Sequence, residues 1–150
     1  MDTPIIRNGI IDHMSAETKK EALCQLVEKL KDHDKIIDPR SFYYDVIERE
    51  EMASTYIGFE IGFAHGKSKY AKEVGICIGR LNAPIVWDEE SGDRVKTIIL
   101  AAVPEHEAVH THMKILAALS RSIMHKEFRD KLQESSEEEI YMLMKKVFAE

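Results

Sequence analysis

Apolar residues in the first third of the chain recur with the spacing of amphipathic helices. A helix is predicted over roughly residues 16–32, with Ser15 as its N-cap, because apolar side chains fall there at i, i+3, i+4 and i+7: Leu23, Leu26, Val27 and Leu30. Asp38 and Pro39 are typical of a helix start, and a second helix is predicted from them to near Met52.

Helical spacing returns in the last third of the chain. A helix is predicted from just after Pro104 to about Met124, because its apolar residues share one face: Val109, Met113, Ile115, Leu116, Leu119 and Ile123. Two more apolar positions indicate a short continuation, Phe128 and Leu132. Ser136 and Glu139 then form a capping-box pattern ahead of a last predicted helix.

The middle of the chain is typical of strands. Two apolar, β-branched runs predict strands from Val74 to Leu81 and from Val95 to Val103, with a further short extended piece at 84–87 and a polar turn at 88–93. Helices on either side of a block of strands predict an α/β fold. We expect one single-domain sandwich over residues 1–150, a small mixed β-sheet flanked by helices on both faces.

Composition narrows the class of function. The chain has 150 residues, of which 44% are hydrophobic and 32% charged, as in an ordinary globular domain. Its formal net charge of −6 makes nucleic acid an improbable partner, because phosphate backbones require clustered Lys and Arg. We expect no direct membrane insertion, since no apolar segment approaches about 20 residues. Two cysteines make no disulfide framework, so a reduced cytoplasmic setting is the default expectation.

His65 is the first candidate for chemistry. It ends an apolar stretch and stands next to Gly66, so we expect an accessible imidazole in a mobile, glycine-rich loop. An accessible imidazole binds a metal, shuttles a proton, or carries a phosphoryl group as a nucleophile. The following run Gly66-Lys67-Ser68 is not a P-loop, because Ile61 stands where that motif needs a glycine.

Other candidates remain open on the residues alone. His106-Glu107-Ala108-Val109-His110 matches the H-E-x-x-H pattern of zinc hydrolases, but a helix start exposed to solvent is the better interpretation. Spacing favours a structural or surface role for His112. Arg49 is either a solvated helix end or a guanidinium that holds phosphate oxygens, and nothing local separates the two.

The order of these features resembles the enzyme IIA domain of the fructose/mannitol type, from the bacterial phosphoenolpyruvate-dependent sugar phosphotransferase system. That family carries Arg-Glu, a Thr-x-Ile-Gly segment, an active-site run ending in Pro-His, and a His-Leu-x-x-Leu helix. The matching segments are Arg49-Glu50, Thr55-Tyr56-Ile57-Gly58, Ile61 to Gly66, and His112 to Leu116. Ala64 replaces the usual proline, and Phe59-Glu60 replaces a typical Asn-Gly.

The resemblance implies a phosphohistidine relay in a single phosphoryl-carrier domain. His65 would accept a phosphoryl group on Nε2 from the histidine-containing phosphocarrier protein and pass it to a cysteine of enzyme IIB, which serves a membrane sugar permease. Arg49 and His112 match the supporting catalytic residues, and Thr55 and Gly66 are candidate binding residues. The resemblance implies no metal and no nucleotide cofactor. The alternative is a regulatory module of the same fold that signals by phosphorylation state without transporting sugar.

Overall fold

A computed structural model describes residues 4–106 and 109–149, without the side chains of residues 109–112. Five strands and five helices follow one another along the chain, in the order β1 (Ile5–Met14), α1 (Lys19–Asp32), α2 (Pro39–Met52), β2 (Tyr56–Gly58), β3 (Ile61–Ser68), β4 (Gly75–Asp88), β5 (Asp93–Pro104), α3 (Val109–Ile123), α4 (Lys126–Glu134) and α5 (Glu137–Phe148). None of the described helices is both long and apolar enough to cross a bilayer.

The strands form one mixed sheet in the order β1-β4-β5-β3-β2. β4 and β5 are an antiparallel hairpin, whereas β1 runs parallel to β4 and β3 runs parallel to β5. The short β2 is antiparallel to β3 and pairs only with its first two residues, Ile61 and Gly62. The outer edge of β3 beyond Gly62 therefore has no strand beside it among the described residues.

Helices cover both faces of the sheet and create two apolar clusters. The first cluster joins the sheet to α1 and α2 through side chains such as Leu26, Phe42 and Leu100. The second joins the opposite face to α3, α4 and α5 through side chains such as Phe63, Leu119 and Ile140. The predicted α/β sandwich with a small mixed sheet is confirmed.

Capping side chains account for where three helices begin. The Asp38 side chain accepts from the backbone N–H of Ser41, and Ser136 accepts from Glu139, so both predicted helix starts are confirmed. The prediction of Ser15 as the first N-cap is wrong. Thr18 caps α1 instead and accepts from the N–H of Glu21, while the Glu21 carboxylate accepts from the N–H of Glu17, one residue before the cap.

The strand predictions were incomplete. The two predicted runs are the cores of β4 and β5, the piece at 84–87 is the end of β4 rather than a separate strand, and the polar turn closes the hairpin between them. β1, β2 and β3 were not predicted. Arg7, Asn8, Asp12 and His13 interrupt the apolar pattern of β1, and Asn8 and His13 have positive φ.

The apolar face of α3 differs from the prediction at its first turns. Ile115, Leu119 and Ile123 are buried against the sheet, but Met113 is 62% exposed. Met113 therefore lies outside the core, contrary to the prediction. Phe128 and Leu132 are buried, but they belong to the separate helix α4 rather than to a continuation of α3.

Candidate functional site

His65 lies in the second half of β3, paired in parallel register with Ala101 of β5. It is only 5% exposed, and its ring centroid lies 5.7 Å from that of Phe63. The expectation of an exposed imidazole in a mobile loop is wrong. The histidine is held on a strand whose neighbours fix the direction of its side chain.

Side chains alternate between the two faces of β3, as in any strand. Ile61 and Phe63 enter the cluster under α3–α5, and His65 occupies the next position of that face. Gly66 faces α2: a Cβ there would lie 2.9 Å from Cγ2 of Val46 and 3.1 Å from Cε1 of Phe42. Glycine at position 66 therefore allows close approach of α2, rather than loop mobility.

Arg49 stands in the last turn of α2, half-buried, and its Nη1 donates a 3.1 Å hydrogen bond to the carbonyl of Ala53. It lines a groove of ≈350 Å³ between α2 and the end of β3, together with Met52 and Lys67. Lys67 follows His65 by two residues on the strand. The helix α2 therefore runs alongside the part of β3 that carries His65, on the sheet face opposite to the His65 side chain, and His65 itself does not line the groove.

Thr55 is buried just before β2, and its hydroxyl both donates to and accepts from neighbouring side chains. Oγ1 donates to Oε2 of Glu50 at 2.6 Å and accepts from Nε1 of Trp87 at 3.3 Å. The Thr55 carbonyl also accepts from the N–H of Phe63 at 3.0 Å. Thr55 therefore fastens the end of α2 to β3 and β4.

Glu50 is buried next to Arg49, and a lysine balances its charge. Lys19 Nζ lies 2.6 Å from Oε1 of Glu50, donates to the Trp87 carbonyl at 3.2 Å, and sits 4.4 Å from the centroid of the Trp87 ring. We name these residues the Glu50 cluster: Lys19, Glu50, Thr55 and Trp87. It joins α1, α2, the residue before β2, and β4 around one buried carboxylate.

The remaining predicted residues lie partly outside the described part of the chain. His112 belongs to α3, but its side chain lies outside the described residues, as do Glu107 and the side chain of His110. His106 is exposed in the turn after β5, so the first histidine of the H-E-x-x-H segment precedes α3 instead of lying on it. Among the described residues, no three metal-binding side chains come together.

Sequence reasoning missed two residues at the site. Glu50 looked like part of a charged, solvated run, although its spacing of five residues from Thr55 allowed a contact across the end of α2. In the sequence, Lys67 stands only in the run Gly66-Lys67-Ser68, which does not form a P-loop motif. The alternation of β3 was the signal that could have placed Lys67 on the face of His65.

Solved structures with this fold cover nearly the whole chain. The nitrogen regulatory protein IIA-Ntr from Neisseria meningitidis superposes with a TM-score of 0.83 at 23% identity, covering 94% of this chain and 96% of that one. The complex of enzyme IIA-Mtl and phosphorylated enzyme IIB-Mtl from Escherichia coli gives 0.76 at 21% identity, covering 91% and 93%. At these identities the likeness shows a shared fold.

Sequence relatives narrow the family. Multiphosphoryl transfer protein 2 of Escherichia coli K12 is 33% identical over 132 residues, which is 87% of this chain but only 16% of that protein. The chain therefore spans about a sixth of this relative. The fructose-specific EIIA component of Haloferax volcanii is 31% identical over 118 residues, covering 79% of this chain and 76% of its own.

A family model matches residues 5–147, which is nearly every residue of the sheet and of the helices around it. That model describes EIIA 2 of the phosphoenolpyruvate-dependent sugar phosphotransferase system. The match confirms the resemblance seen in the sequence. The chain therefore belongs to the EIIA 2 family of phosphotransferase-system components, which act through a phosphohistidine intermediate.

Proposed function

We propose that this chain is a phosphoryl carrier of a sugar phosphotransferase system, and that His65 is the residue that carries the phosphoryl group. The observation behind the proposal is that His65 is held by β3 in a chain matched to EIIA 2 over residues 5–147. Phosphoryl transfer depends mainly on positioning and on stabilising charge, and a side chain fixed on a strand suits that demand.

Two successive displacements make up the reaction. The Nε2 lone pair of His65 attacks the phosphorus of a donor phosphohistidine, the donor P–N bond breaks, and its electron pair returns to the donor imidazole. A cysteine thiolate of the acceptor then attacks the same phosphorus. The bond from His65 to phosphorus breaks, and its electron pair returns to the His65 ring.

Arg49 and His112 would stabilise the charge on the transferred group. Arg49 offers four guanidinium donors besides the one directed at Ala53. His112 belongs to α3, the helix whose Ile115 and Leu119 are buried against the sheet. We also propose Thr55 and Gly66 as binding residues. In the described residues Thr55 contacts Glu50 and Trp87, and Gly66 packs against α2.

The proposed donor is the histidine-containing phosphocarrier protein, and the proposed acceptor is the cysteine of an enzyme IIB. A complex of a IIA domain with a phosphorylated IIB is among the structures that share this fold. We further propose that residues 1–150 act as one carrier domain in the cytoplasm. Uptake of sugar would then belong to the membrane permease that the acceptor serves.

Phosphorylation in a purified system tests the proposal. Incubation with labelled phosphoenolpyruvate, enzyme I and the phosphocarrier protein should add one acid-labile phosphoryl group to the chain. His65→Ala should abolish the label, while His33→Ala, a change at the end of α1, should keep it. Label that persists in His65→Ala, with thermal unfolding unchanged, would reject His65 as the acceptor.

Addition of an enzyme IIB separates transport from regulation. Loss of label from the chain and its appearance on the IIB cysteine support the transport carrier. Stable label on His65, with no transfer to any fructose- or mannitol-type IIB, instead supports a regulatory module.

A further inference from the structure

We propose that Lys67 is a second phosphate-binding residue of this site, acting with Arg49. The inference rests on the proposed function and deepens it, because it names a group that would hold the phosphoryl oxygens on His65. Its starting point is the position of Lys67 on β3.

Lys67 is the next residue after His65 on the same face of the strand. Same-face positions of a strand lie about 6.5–7 Å apart, which is within the reach of a lysine side chain. His65 is 5% exposed, whereas Lys67 is exposed. Lys67 therefore stands where this face of β3 meets solvent, at the next same-face position after the residue that would carry the phosphoryl group.

Lys67 and Arg49 also line the same ≈350 Å³ groove, although they come from different elements. Among the described residues, neither forms an ion pair, and the guanidinium of Arg49 donates only to the Ala53 carbonyl. Within the described part of the chain, no carboxylate therefore neutralises either cation through an ion pair. A phosphoryl group on histidine presents several negatively charged oxygens, and two cations satisfy more of that charge than one.

The groove also contains carboxylates, and their positions matter. Three of its lining residues are acidic: Asp45, Glu48 and Glu105. The carboxylate of Asp45 accepts from the hydroxyl of Ser68, on the α2 face of β3. Lys69 is a third cation of the groove, but it lies beyond the end of β3 and four residues from His65. Position relative to His65, rather than net charge, distinguishes Lys67.

The competing explanation is that Lys67 only protects an unpaired strand edge from association. Both explanations account for a lysine at position 67. They predict different results for replacing Lys67 by another cation and for removing the neighbouring Lys69. The matched variants are therefore Lys67→Met, Lys67→Arg and Lys69→Met. The last removes the same charge from the same groove, outside the strand.

Single-turnover phosphorylation by saturating phosphocarrier protein is the measurement. Lys67→Met should lower the rate of phosphoryl transfer to His65 about tenfold, as expected for the loss of one hydrogen bond to a charged group. Lys67→Arg should restore most of the rate, and Lys69→Met should stay within about twofold of the unchanged chain. An unchanged rate in Lys67→Met or an equal loss in Lys69→Met would overturn the proposal.

Failure of the proposed function is recognised separately, by the absence of label on the unchanged chain. Inorganic phosphate then tests Lys67 directly. Titration of phosphate into ¹⁵N-labelled protein should shift the backbone amides of residues 65–67 in the unchanged chain and in Lys69→Met, and shift them less in Lys67→Met. Equal shifts in all three proteins, or none in any, would reject Lys67 as a phosphate-binding residue.

Discussion

The hydroxyl of Thr55 donates a 2.6 Å hydrogen bond to one carboxylate oxygen of Glu50, while Lys19 lies 2.6 Å from the other oxygen. The carboxylate thus has a partner on each oxygen, although the Glu50 side chain is only 3% exposed. Because Glu50 adjoins Arg49 in the last turn of α2, the same contacts hold that turn in place. The Glu50 cluster therefore supports the turn of α2 that carries Arg49.

Glu50→Gln tests this support. It keeps the size of the side chain but leaves the charge of Lys19 unbalanced, so the free energy of unfolding should fall by about 3 kcal/mol. Urea denaturation followed by the fluorescence of Trp87, the one tryptophan in the chain, measures the change where it occurs. The exposed neighbour Glu51→Gln is the control, and it should stay within about 0.5 kcal/mol of the unchanged chain.

The double variant Lys19→Met with Glu50→Gln completes that experiment. Once Lys19 is replaced, the loss of the Glu50 charge leaves no unbalanced cation. The double variant should therefore lose less free energy of unfolding than the sum of the losses in Lys19→Met and Glu50→Gln. Simple additivity would show that the ion pair contributes nothing to stability.

A second ion pair predicts how stability depends on pH. Arg80 holds Asp12 through two hydrogen bonds, of 2.6 and 3.2 Å, and also donates to the Ser135 carbonyl at the end of α4. Burial alone would raise the pKa of Asp12, but hydrogen bonds from Arg80 and the His13 N–H, with the charge of Arg80, hold it below its usual 3.8.

A lowered pKa in the fold stabilises the protein above the unfolded pKa, and this contribution disappears as pH falls through the folded value. Asp12→Asn should therefore destabilise the chain at pH 6, and the difference should shrink below about pH 4. Urea denaturation at several pH values measures it. In an Arg80→Met background the same Asp12→Asn change should lose most of its pH dependence; a difference that persists at every pH would contradict the assignment.

The turn between β2 and β3 predicts a stabilising change. Phe59 and Glu60 both have positive φ, 57° and 62°, as in a two-residue hairpin turn that favours Asn-Gly. Glu60→Gly should raise the free energy of unfolding by about 0.5–1 kcal/mol, because an L-residue there is strained and glycine is not. Glu60→Ala keeps the strain and should bring no gain.

Phe59 should not be replaced as freely as Glu60. The guanidinium of Arg129 in α4 lies 3.7 Å from the centroid of the Phe59 ring, so this ring attaches the turn to the second helical layer. Phe59→Asn should therefore gain less than Glu60→Gly, or lose stability, in the same urea experiment. A larger gain from Phe59→Asn would show that the Arg129 contact is not stabilising.

Close approach at Gly66 predicts a destabilising change. Gly66→Ala would press a methyl group against Val46, and overpacking of this kind typically costs about 1–3 kcal/mol. Val46→Ala removes the clashing Cγ2, so Gly66→Ala should cost less in that background. Thermal or urea unfolding measures both, and equal costs in the two backgrounds would place the strain elsewhere.

The sequence predicted those elements whose signals are local. α2 and α5 begin at the predicted caps, and β4 and β5 contain the predicted apolar runs, because capping and apolar patterning act over a few residues. β3 escaped because its glycines look like loop residues. The missing side chains of Gly62 and Gly66 in fact leave room for Trp87 and α2, and both neighbours are distant in sequence.

The candidate site likewise contains residues that the sequence predicts and residues that only the fold places. His65 is a candidate from its own segment, and the order of motifs in the resemblance gives His65 and Arg49 their expected roles without knowledge of the fold. The burial of Glu50 and the position of Lys67 depend on how α2 lies along β3, and no pattern within either segment contains that relationship. A charged run next to a helix end is usually solvated, so nothing in the run itself distinguishes Glu50 from Glu48 and Glu51.

The β4–β5 hairpin turn lies at the opposite end of the sheet from His65. Residues 93 and 101 of β5 are eight positions apart, so about 26 Å of strand separates the turn from the partner of His65. Glu89 and Glu90 in that turn are exposed and leave room for an attachment, whereas the φ of 79° at Gly92 would strain any side chain placed there. A dye, a surface anchor or a fused domain joined there would stand far from His65 and would leave both proposed partners free to reach it.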